Sequence, residues 1–421
     1  MSLSKHANKP SYDFPEEILS EIFKRLPVKY VLRCRAVQKS WYHLIKTPMF
    51  ISLHSNHQIS TAHNNPKYLL FNDTSCHLYT LRSDDSLCRR YCAFVYPFNL
   101  PNEAWFVYTN GLFCLSTMLN QQLAYNSDIY LWNPLVGKSR IIPETPLSSF
   151  TYKETKWNAL AFGFLPEVND YVVIHIVKPK STAEPDSPEP EYYDFDPYDS
   201  PYDHYPHSVK ISVYSLNTNS WKEMSQDKVF VDFIVDNESV FVNGTAFWVG
   251  YNADVDYQLI MYFNTKTNIL GQVAVPNWVT RHYRQLEGPV ILPFGQSIAY
   301  FVEGDVDDWD DADDWDEDFR TSHLDMWVLK DEMIDEESWE NKMSVKLGEN
   351  VWAEVLGTRN NGEPIQAKSN NLISYDLKTH EPYVFVESCD RLSPIYHHKE
   401  GSTSPFVIRP FVETLALLDI D

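Results

Sequence analysis

The chain has 421 residues, a formal net charge of −23 and 43% hydrophobic residues, so it is long enough for one large core or two domains. No run approaches the ~18 consecutive apolar residues of a membrane span, and the first residues lack the apolar core of a signal peptide. Even with its two acidic segments, 181–207 and 303–318, set aside, the chain has too little net positive charge to favour duplex nucleic acid as a partner. The six cysteines show no paired metal spacing, which predicts reduced thiols in a cytoplasmic or nuclear protein with no metal and no cofactor.

The first predicted element is an amphipathic helix between Pro15 and Pro27, after a flexible tail over residues 1–10. Proline suits the first turn of a helix, and the acidic residues that follow it favour the positive end of the helix dipole. Large apolar residues recur on one helical face, namely Ile18, Leu19, Ile22, Phe23 and Leu26. Two more short helices are expected before Pro48, which is expected to close the unit.

Helices this short are marginal in isolation. The apolar residues of the first helix would contribute roughly 7–15 kcal/mol if all were buried. Three short helices cannot bury that much surface against one another. The unit must therefore pack either on the rest of this chain or on another protein.

The helical segment reads Phe14-Pro15-x-x-Ile18-Leu19-x-Glu21-Ile22-x-x-Arg25-Leu26-Pro27-Val28-Lys29, followed by Leu32-Arg33 and Val37-x-Lys39-Ser40-Trp41-x-x-Leu44-Ile45. With this motif, residues 11–51 resemble an F-box, the helical module that docks substrate receptors onto the Skp-type adaptor of SCF ubiquitin ligases. The spacing is kept over about 32 residues without a gap. The resemblance implies that the adaptor is contacted through Phe14, Pro15, Ile18, Leu19, Ile22, Leu26, Pro27, Leu32, Val37 and Trp41. The open alternative is a helical hairpin that packs only on its own β domain.

Residues 52–67 are polar and rich in turn formers, which predicts a linker. Beyond it, from residue 68 to 418, a pattern of strand, polar turn and strand recurs six times. The residues just before these turns are Leu81, Trp132, Leu216, Phe263, Leu329 and Tyr375. With two acidic segments set aside, their spacing is close to the ~50-residue period of kelch-like propeller blades. About six small antiparallel sheets arranged radially are expected, with most tryptophans packed between them.

This β region resembles the F-box-associated domain of plant F-box proteins, sometimes described as the F-box/kelch-repeat type. The phrases that carry the resemblance are Leu131-Trp132-Asn133-Pro134, Phe162-Gly163-Phe164, Val213-Tyr214-Ser215-Leu216 and the terminal Phe411-Val412-Glu413-Thr414-Leu415. The implied fold is α plus all-β, with an N-terminal three-helix F-box followed by a kelch-like β-propeller.

The two resemblances imply a substrate-recognition subunit of an SCF-type E3 ubiquitin ligase, which is not itself an enzyme. It would bind a Skp-type adaptor, through it a cullin-based ligase, and an unknown protein substrate. Two alternatives stay open within this interpretation as an F-box protein. One is an S-locus F-box protein that recognises basic ribonucleases in self-incompatibility, and the other is a scaffold that binds the adaptor without directing degradation. A propeller enzyme is a further alternative, for which no catalytic motif is present.

Two acidic segments, 181–207 and 303–318, interrupt the β region. Residues 303–318 hold eleven acidic residues and no basic one. Such blocks are usually solvated insertions. The functional alternative is capture of a basic substrate, since surfaces of one sign steer partners of the other sign. Its candidate contacts are Asp305, Asp308, Trp309, Asp311, Asp314 and Trp315.

Overall fold

The structure is a computed structural model. Within the residues that it describes, four α-helices lie at the start of the chain, and 24 strands and one short 3-10 helix (Pro146–Ser149) follow them. The described residues are 14–64, 68–73, 78–95, 97–98, 105–116, 128–150, 154–180, 208–227, 231, 233–252, 257–275, 290–305, 321–330, 338–349, 355–368, 371–386 and 406–419.

The helices are α1 (Glu16–Phe23), α2 (Val28–Cys34), α3 (Lys39–Lys46) and α4 (Pro48–Asn64), which together form the helical unit. Proline precedes both α1 and α2 as the N-cap residue. On the solvent side of α1, Arg25 pairs with Glu21 at 3.0 Å, one turn apart. The three short helices expected from the sequence are therefore all present.

The prediction of a linker over residues 52–67 is wrong for most of that segment, because α4 continues to Asn64. Pro48 does not close the unit but begins this helix, where its missing N–H costs no hydrogen bond. The sequence of α4 is polar, yet Phe50, Ile51, His54 and Ser55 are buried at helical spacing. Tertiary packing of that narrow face stabilises a helix that composition alone does not favour.

The strands form six units of four. Their bounds are β1 (Tyr68–Asp73), β2 (Leu78–Ser83), β3 (Arg90–Val95), β4 (Trp105–Thr109), β5 (Leu112–Ser116), β6 (Ile129–Asn133), β7 (Lys138–Ile141), β8 (Thr155–Leu165), β9 (Asp170–Pro179), β10 (Val209–Ser215), β11 (Ser220–Gln226), β12 (Phe233–Val242), β13 (Thr245–Asn252), β14 (Tyr257–Asn264), β15 (Ile269–Ala274), β16 (Val290–Phe294), β17 (Ser297–Asp305), β18 (Thr321–Leu329), β19 (Trp339–Glu349), β20 (Val355–Thr358), β21 (Pro364–Lys368), β22 (Asn371–Tyr375), β23 (Pro382–Val386) and β24 (Phe406–Phe411).

Four units are separate four-stranded sheets, each an up-and-down antiparallel meander: β4–β7, β8–β11, β12–β15 and β16–β19. The other two, β20–β23 and β24 with β1–β3, are joined into one eight-stranded sheet. The join is a single parallel pair, Gly357 with Ile408. The C-terminal strand β24 pairs along its whole length with β1, so the two ends of the β region meet in one blade.

The predicted repeat is confirmed by the topology. Each residue used to mark it lies in, or directly after, the third strand of its blade: β2, β6, β10, β14, β18 and β22. Of the tryptophans expected in the core, Trp132, Trp248 and Trp339 are buried, whereas Trp221 and Trp327 are only partly buried. Trp248 is fully buried and its indole N–H donates to the carbonyl of Leu160 in the neighbouring blade, at 3.0 Å.

Antiparallel meanders place their connections alternately at two ends, which gives the propeller two faces. The turn that follows the first, innermost strand of each blade lies on one of these faces, which we call the proximal face. The helical unit touches this face: Asn169 of the β8–β9 turn donates to Ser52 of α4 at 2.7 Å. The connections β9–β10 and β17–β18 leave from the opposite, distal face. Residues 303–305, predicted as part of an acidic insertion, instead complete β17.

Candidate functional site

A row of exposed apolar side chains runs along α1. Ile18 and Ile22 are both 46% exposed, and their spacing of four residues places them on one side of α1, whereas Phe14, which is 59% exposed, lies two residues before the helix begins. We call these three residues the α1 patch. Val37, after α2, is 63% exposed. Exposed apolar surface of this kind marks a site for a partner.

Most of the other residues predicted to contact the adaptor are less accessible to solvent. Pro15 is exposed, whereas Leu26, Pro27, Leu32 and Trp41 are partly buried. Leu19 is 8% exposed and lies in the core of the helical unit. Leu19 therefore stabilises α1 from inside and is not part of the α1 patch.

The inner side of the helical unit is closed by this chain itself. Leu415 and Leu418, from the turn after β24, are fully buried in the same cluster as Phe23 and Ile45. Leu135 of the β6–β7 turn packs against this cluster from the propeller. Each large apolar side chain buried here contributes about 1.5–3 kcal/mol. Packing on the rest of this chain is therefore confirmed for the inner side of the unit, whereas packing of the exposed side on another protein stays a prediction.

Hydrogen bonds hold the same C-terminal turn between the two units. The Glu413 carboxylate accepts from the backbone N–H of Val28 at 2.8 Å, which satisfies the first N–H of α2. The Asn133 amide donates to the carbonyls of Thr414 and Ala416 at 3.0 and 2.9 Å. We call residues 413–418 the C-terminal clamp. Sequence reasoning recognised the Phe411–Leu415 phrase but did not assign it this role.

His54 of α4 joins the helical unit through its ring. Its Nε2 lies 2.9 Å from the carbonyl oxygen of Leu26, which can only accept, so Nε2 carries the proton. The ring is fully buried, and burial lowers the pKa of His54 to about 4 against the opposing effect of this hydrogen bond. The histidine is therefore neutral at neutral pH.

This buried histidine makes the stability of the protein depend on pH. The unfolded chain binds a proton on His54 below about pH 6.5 and the folded chain does not until about pH 4, so stability falls as the pH falls through that window. Between about pH 7 and 5 the loss expected from His54 is about 2 kcal/mol. Urea unfolding of wild type and His54→Gln at both pH values checks this. The same pH dependence in both proteins would contradict it.

Basic side chains are exposed on α2 and α3, whereas the exposed acidic residues of the helical unit lie on α1. Lys29, Arg33 and Lys39 are exposed on α2 and α3, and the Arg33 guanidinium lies 5.6 Å above the Tyr30 ring. In the described part of α2 and α3 no acidic residue offsets them. Acidic groups of a partner would therefore be favoured opposite α2 and α3 but not opposite α1, where Glu16, Glu17 and Glu21 are exposed.

Of the six predicted substrate contacts in the acidic segment, only Asp305 belongs to the described residues. Asp305 ends β17, where its backbone pairs with Ser322. Asp308, Trp309, Asp311, Asp314 and Trp315, like segment 181–207, lie outside the described residues. In the part of the chain that the structure describes, no group of three or more His, Cys, Asp or Glu side chains is placed to hold a metal ion. No helix within the same residues is long and apolar enough to cross a membrane.

These observations define a class of protein: a helical docking unit fixed on one face of a six-bladed propeller. Residues 12–53 match the family model of the F-box domain, and residues 102–417 match that of the F-box associated beta propeller domain. The second match spans most of the chain. The chain therefore belongs to the F-box proteins with an F-box-associated β-propeller domain.

Several relatives from Arabidopsis thaliana are similar over long stretches. F-box protein CPR1 is 24% identical over 346 residues, which are 80% of this chain and 74% of CPR1. F-box protein At3g23260 is 23% identical over 62% of this chain and 64% of its own length, so the chain spans just under two thirds of that relative. F-box/kelch-repeat protein At1g12170 is 19% identical over 79% of this chain and 80% of its own length. The specific kelch and S-locus relations stay predictions.

Solved structures with a detectable likeness include the β-propeller domain of the Trilobed protease from Pyrococcus furiosus. It is 13% identical, covers 67% of this chain and 70% of that one, and has a TM-score of 0.33. The six-bladed architecture described above follows from the strand pairing of this chain alone.

Proposed function

We propose that this protein is the substrate-recognition subunit of an SCF-type E3 ubiquitin ligase and that the α1 patch docks on a Skp-type adaptor. The observation that carries the proposal is the exposure of Phe14, Ile18 and Ile22 on a unit whose other side is fixed to the propeller. A partner that covers this row would bury three large apolar side chains, worth about 1.5–3 kcal/mol each.

The way the two units are joined supports a positioning role. Buried leucines and the Glu413–Val28 hydrogen bond tie the propeller to the helices without a long flexible linker. A substrate held on the propeller would therefore keep a defined distance from the adaptor and from the ubiquitin-conjugating enzyme behind it. Such a subunit accelerates transfer by proximity and orientation and forms no covalent intermediate. We propose that it acts in the cytoplasm or nucleus.

The distal face is the proposed substrate surface. The connections that carry both acidic segments leave the propeller there, on the side away from the helical unit. A basic protein substrate would suit that charge. Recognition of basic ribonucleases by an S-locus F-box protein is one such case and remains a prediction from the sequence.

Co-purification distinguishes the ligase subunit from a non-degradative scaffold. The full chain is expressed together with a Skp-type adaptor and a cullin, and complexes are isolated in parallel through a tag on the cullin and through a tag on the adaptor. We expect adaptor and receptor to be recovered in equal amounts. Recovery of receptor with adaptor but never with cullin would favour the scaffold. If no receptor were recovered together with the adaptor, the docking proposal itself would be refuted.

A further inference from the structure

A cavity of about 660 Å³ lies on the propeller axis at the proximal face. It is lined by the carboxyl ends of β4, β8, β12, β16 and β20 and by β24, and Ile59 of α4 also contributes to it. This volume is within the roughly 300–1,000 Å³ of pockets that hold small molecules. The cavity is on the same face as the helical unit and therefore distinct from the proposed substrate surface.

The wall of the cavity is aromatic. Phe106, Phe241 and Phe294 line it, and all three are only partly buried. The ring of Phe241 lies directly on Gly163 of the neighbouring blade, where a Cβ atom would overlap it, so the glycine sets the position of the ring. Exposing apolar rings to water is unfavourable. Such a wall therefore favours an occupant with an apolar body.

The rim of the cavity is polar and rich in carboxamides. Turns after four of the inner strands place five such side chains around it: Asn110, Asn243, Gln296, Asn360 and Asn361. A carboxamide both donates and accepts hydrogen bonds. The Asn360 amide already donates to Asp84 at 2.8 Å and the Asn361 oxygen accepts from the backbone N–H of Glu363 at 3.1 Å, so these two offer a ligand only their remaining capacity. The hydroxyl oxygen of Ser239, also in the lining, is buried and has no hydrogen-bond partner among the described residues. These groups suit a ligand with several hydroxyl or amide groups.

The charged side chains among the described residues that line the cavity are two arginines, Arg359 and Arg409. Among the described residues that line it, none is Asp, Glu, Lys or His. The Arg359 guanidinium is neutralised from behind the wall, by Asp84 at 2.7 Å and Glu363 at 3.3 Å. Arg409 donates to the backbone carbonyls of Ile408 and Leu356, at 3.1 and 3.4 Å. Among the described residues that line the cavity, no carboxylate is placed to attract a cation, and one arginine is already paired with two carboxylates.

We propose that this cavity binds an uncharged small molecule that joins an apolar ring or chain to several hydroxyl or amide groups. Ile59 belongs to the helix that carries His54 and the contact to Leu26, so a bound molecule would touch both the propeller and the helical unit. The proposal does not depend on adaptor docking.

The probe for a first test is 4-methylumbelliferyl β-D-glucoside, which is uncharged and joins an aromatic ring system to a sugar. Binding is measured by isothermal titration calorimetry to the full chain carrying Ile18→Asp and Ile22→Asp, so that the α1 patch does not attract the probe. We expect one site with a Kd below about 1 mM. No binding up to that concentration would overturn the proposal.

Two variants locate the binding within the protein. Gln296 is exposed in the β16–β17 turn, so Gln296→Trp should fill the cavity mouth without disturbing the core and should weaken binding at least about tenfold. Val168→Trp is the matched control, because Val168 is exposed in a proximal turn but does not line the cavity. Equal affinity of Gln296→Trp and the control protein would overturn the assignment.

A third variant tests the polar part of the site. Ser239→Ala should weaken binding about threefold to tenfold, the loss of one hydrogen bond. Its melting temperature should not fall, because no described residue bonds the hydroxyl. Unchanged affinity would remove Ser239 from the site. Adaptor co-purification is measured separately, so failure of the cavity proposal and failure of the docking proposal give different results.

Discussion

Replacing Ile18 and Ile22 together by aspartate is expected to abolish co-purification with a Skp-type adaptor. Both side chains are 46% exposed on one side of α1, so the charges cost little in the free protein. In the complex they would be buried without partners, which is strongly unfavourable. We expect affinity to fall by at least about 100-fold, measured by surface plasmon resonance with immobilised adaptor.

The chain offers a matched control for this double variant. Ile141 and Ile269 are 55% and 51% exposed, but they lie in β7 and β15, outside the helical unit. Ile141→Asp/Ile269→Asp should bind the adaptor like wild type. Leu26 would be a poorer target than Ile22 because it packs partly inside the helical unit, where a charge would also destabilise the fold. Equal loss in both double variants would show that the effect is not specific to the α1 patch.

Replacing Leu415 and Leu418 together by alanine is expected to release the helical unit from the propeller. Both leucines are fully buried in the cluster that α1–α4 share with the C-terminal clamp. A buried Leu→Ala change typically costs about 2–5 kcal/mol. The double variant should therefore lose about 4 kcal/mol or more, and its helices should exchange backbone hydrogens faster while the blades remain protected.

Leu417 provides the comparison within the same turn. It is also buried, but it packs into the cluster between the β4–β7 and β8–β11 blades, to which Ile59 of α4 contributes and no described residue of α1–α3 does. Leu417→Ala should lower the melting temperature without increased hydrogen exchange in α2 and α3. If exchange in the helices were unchanged in Leu415→Ala/Leu418→Ala, the clamp would not be what holds the two units together.

Much of the propeller could be predicted from the sequence because each blade repeats one local pattern. The residues before the third-strand turns, such as Trp132 and Phe263, are spaced by whole blades, and strand alternation sets which side chains enter the core. The helical unit could be predicted for a similar reason, since Ile18, Leu19 and Ile22 follow the helical period. Local periodicity was therefore sufficient to predict the helical unit, the propeller and the family that they resemble.

What only the tertiary structure decided depends on contacts between residues far apart in the sequence. Periodicity placed Ile18 and Leu19 on one apolar face, but only packing shows that Leu19 points into the core while Ile18 stays exposed. The helix α4 exists because Phe50 and His54 find a buried surface, although its composition resembles a linker. The Glu413–Val28 bond and the axial cavity likewise arise only when six blades close and bring the two ends of the chain together.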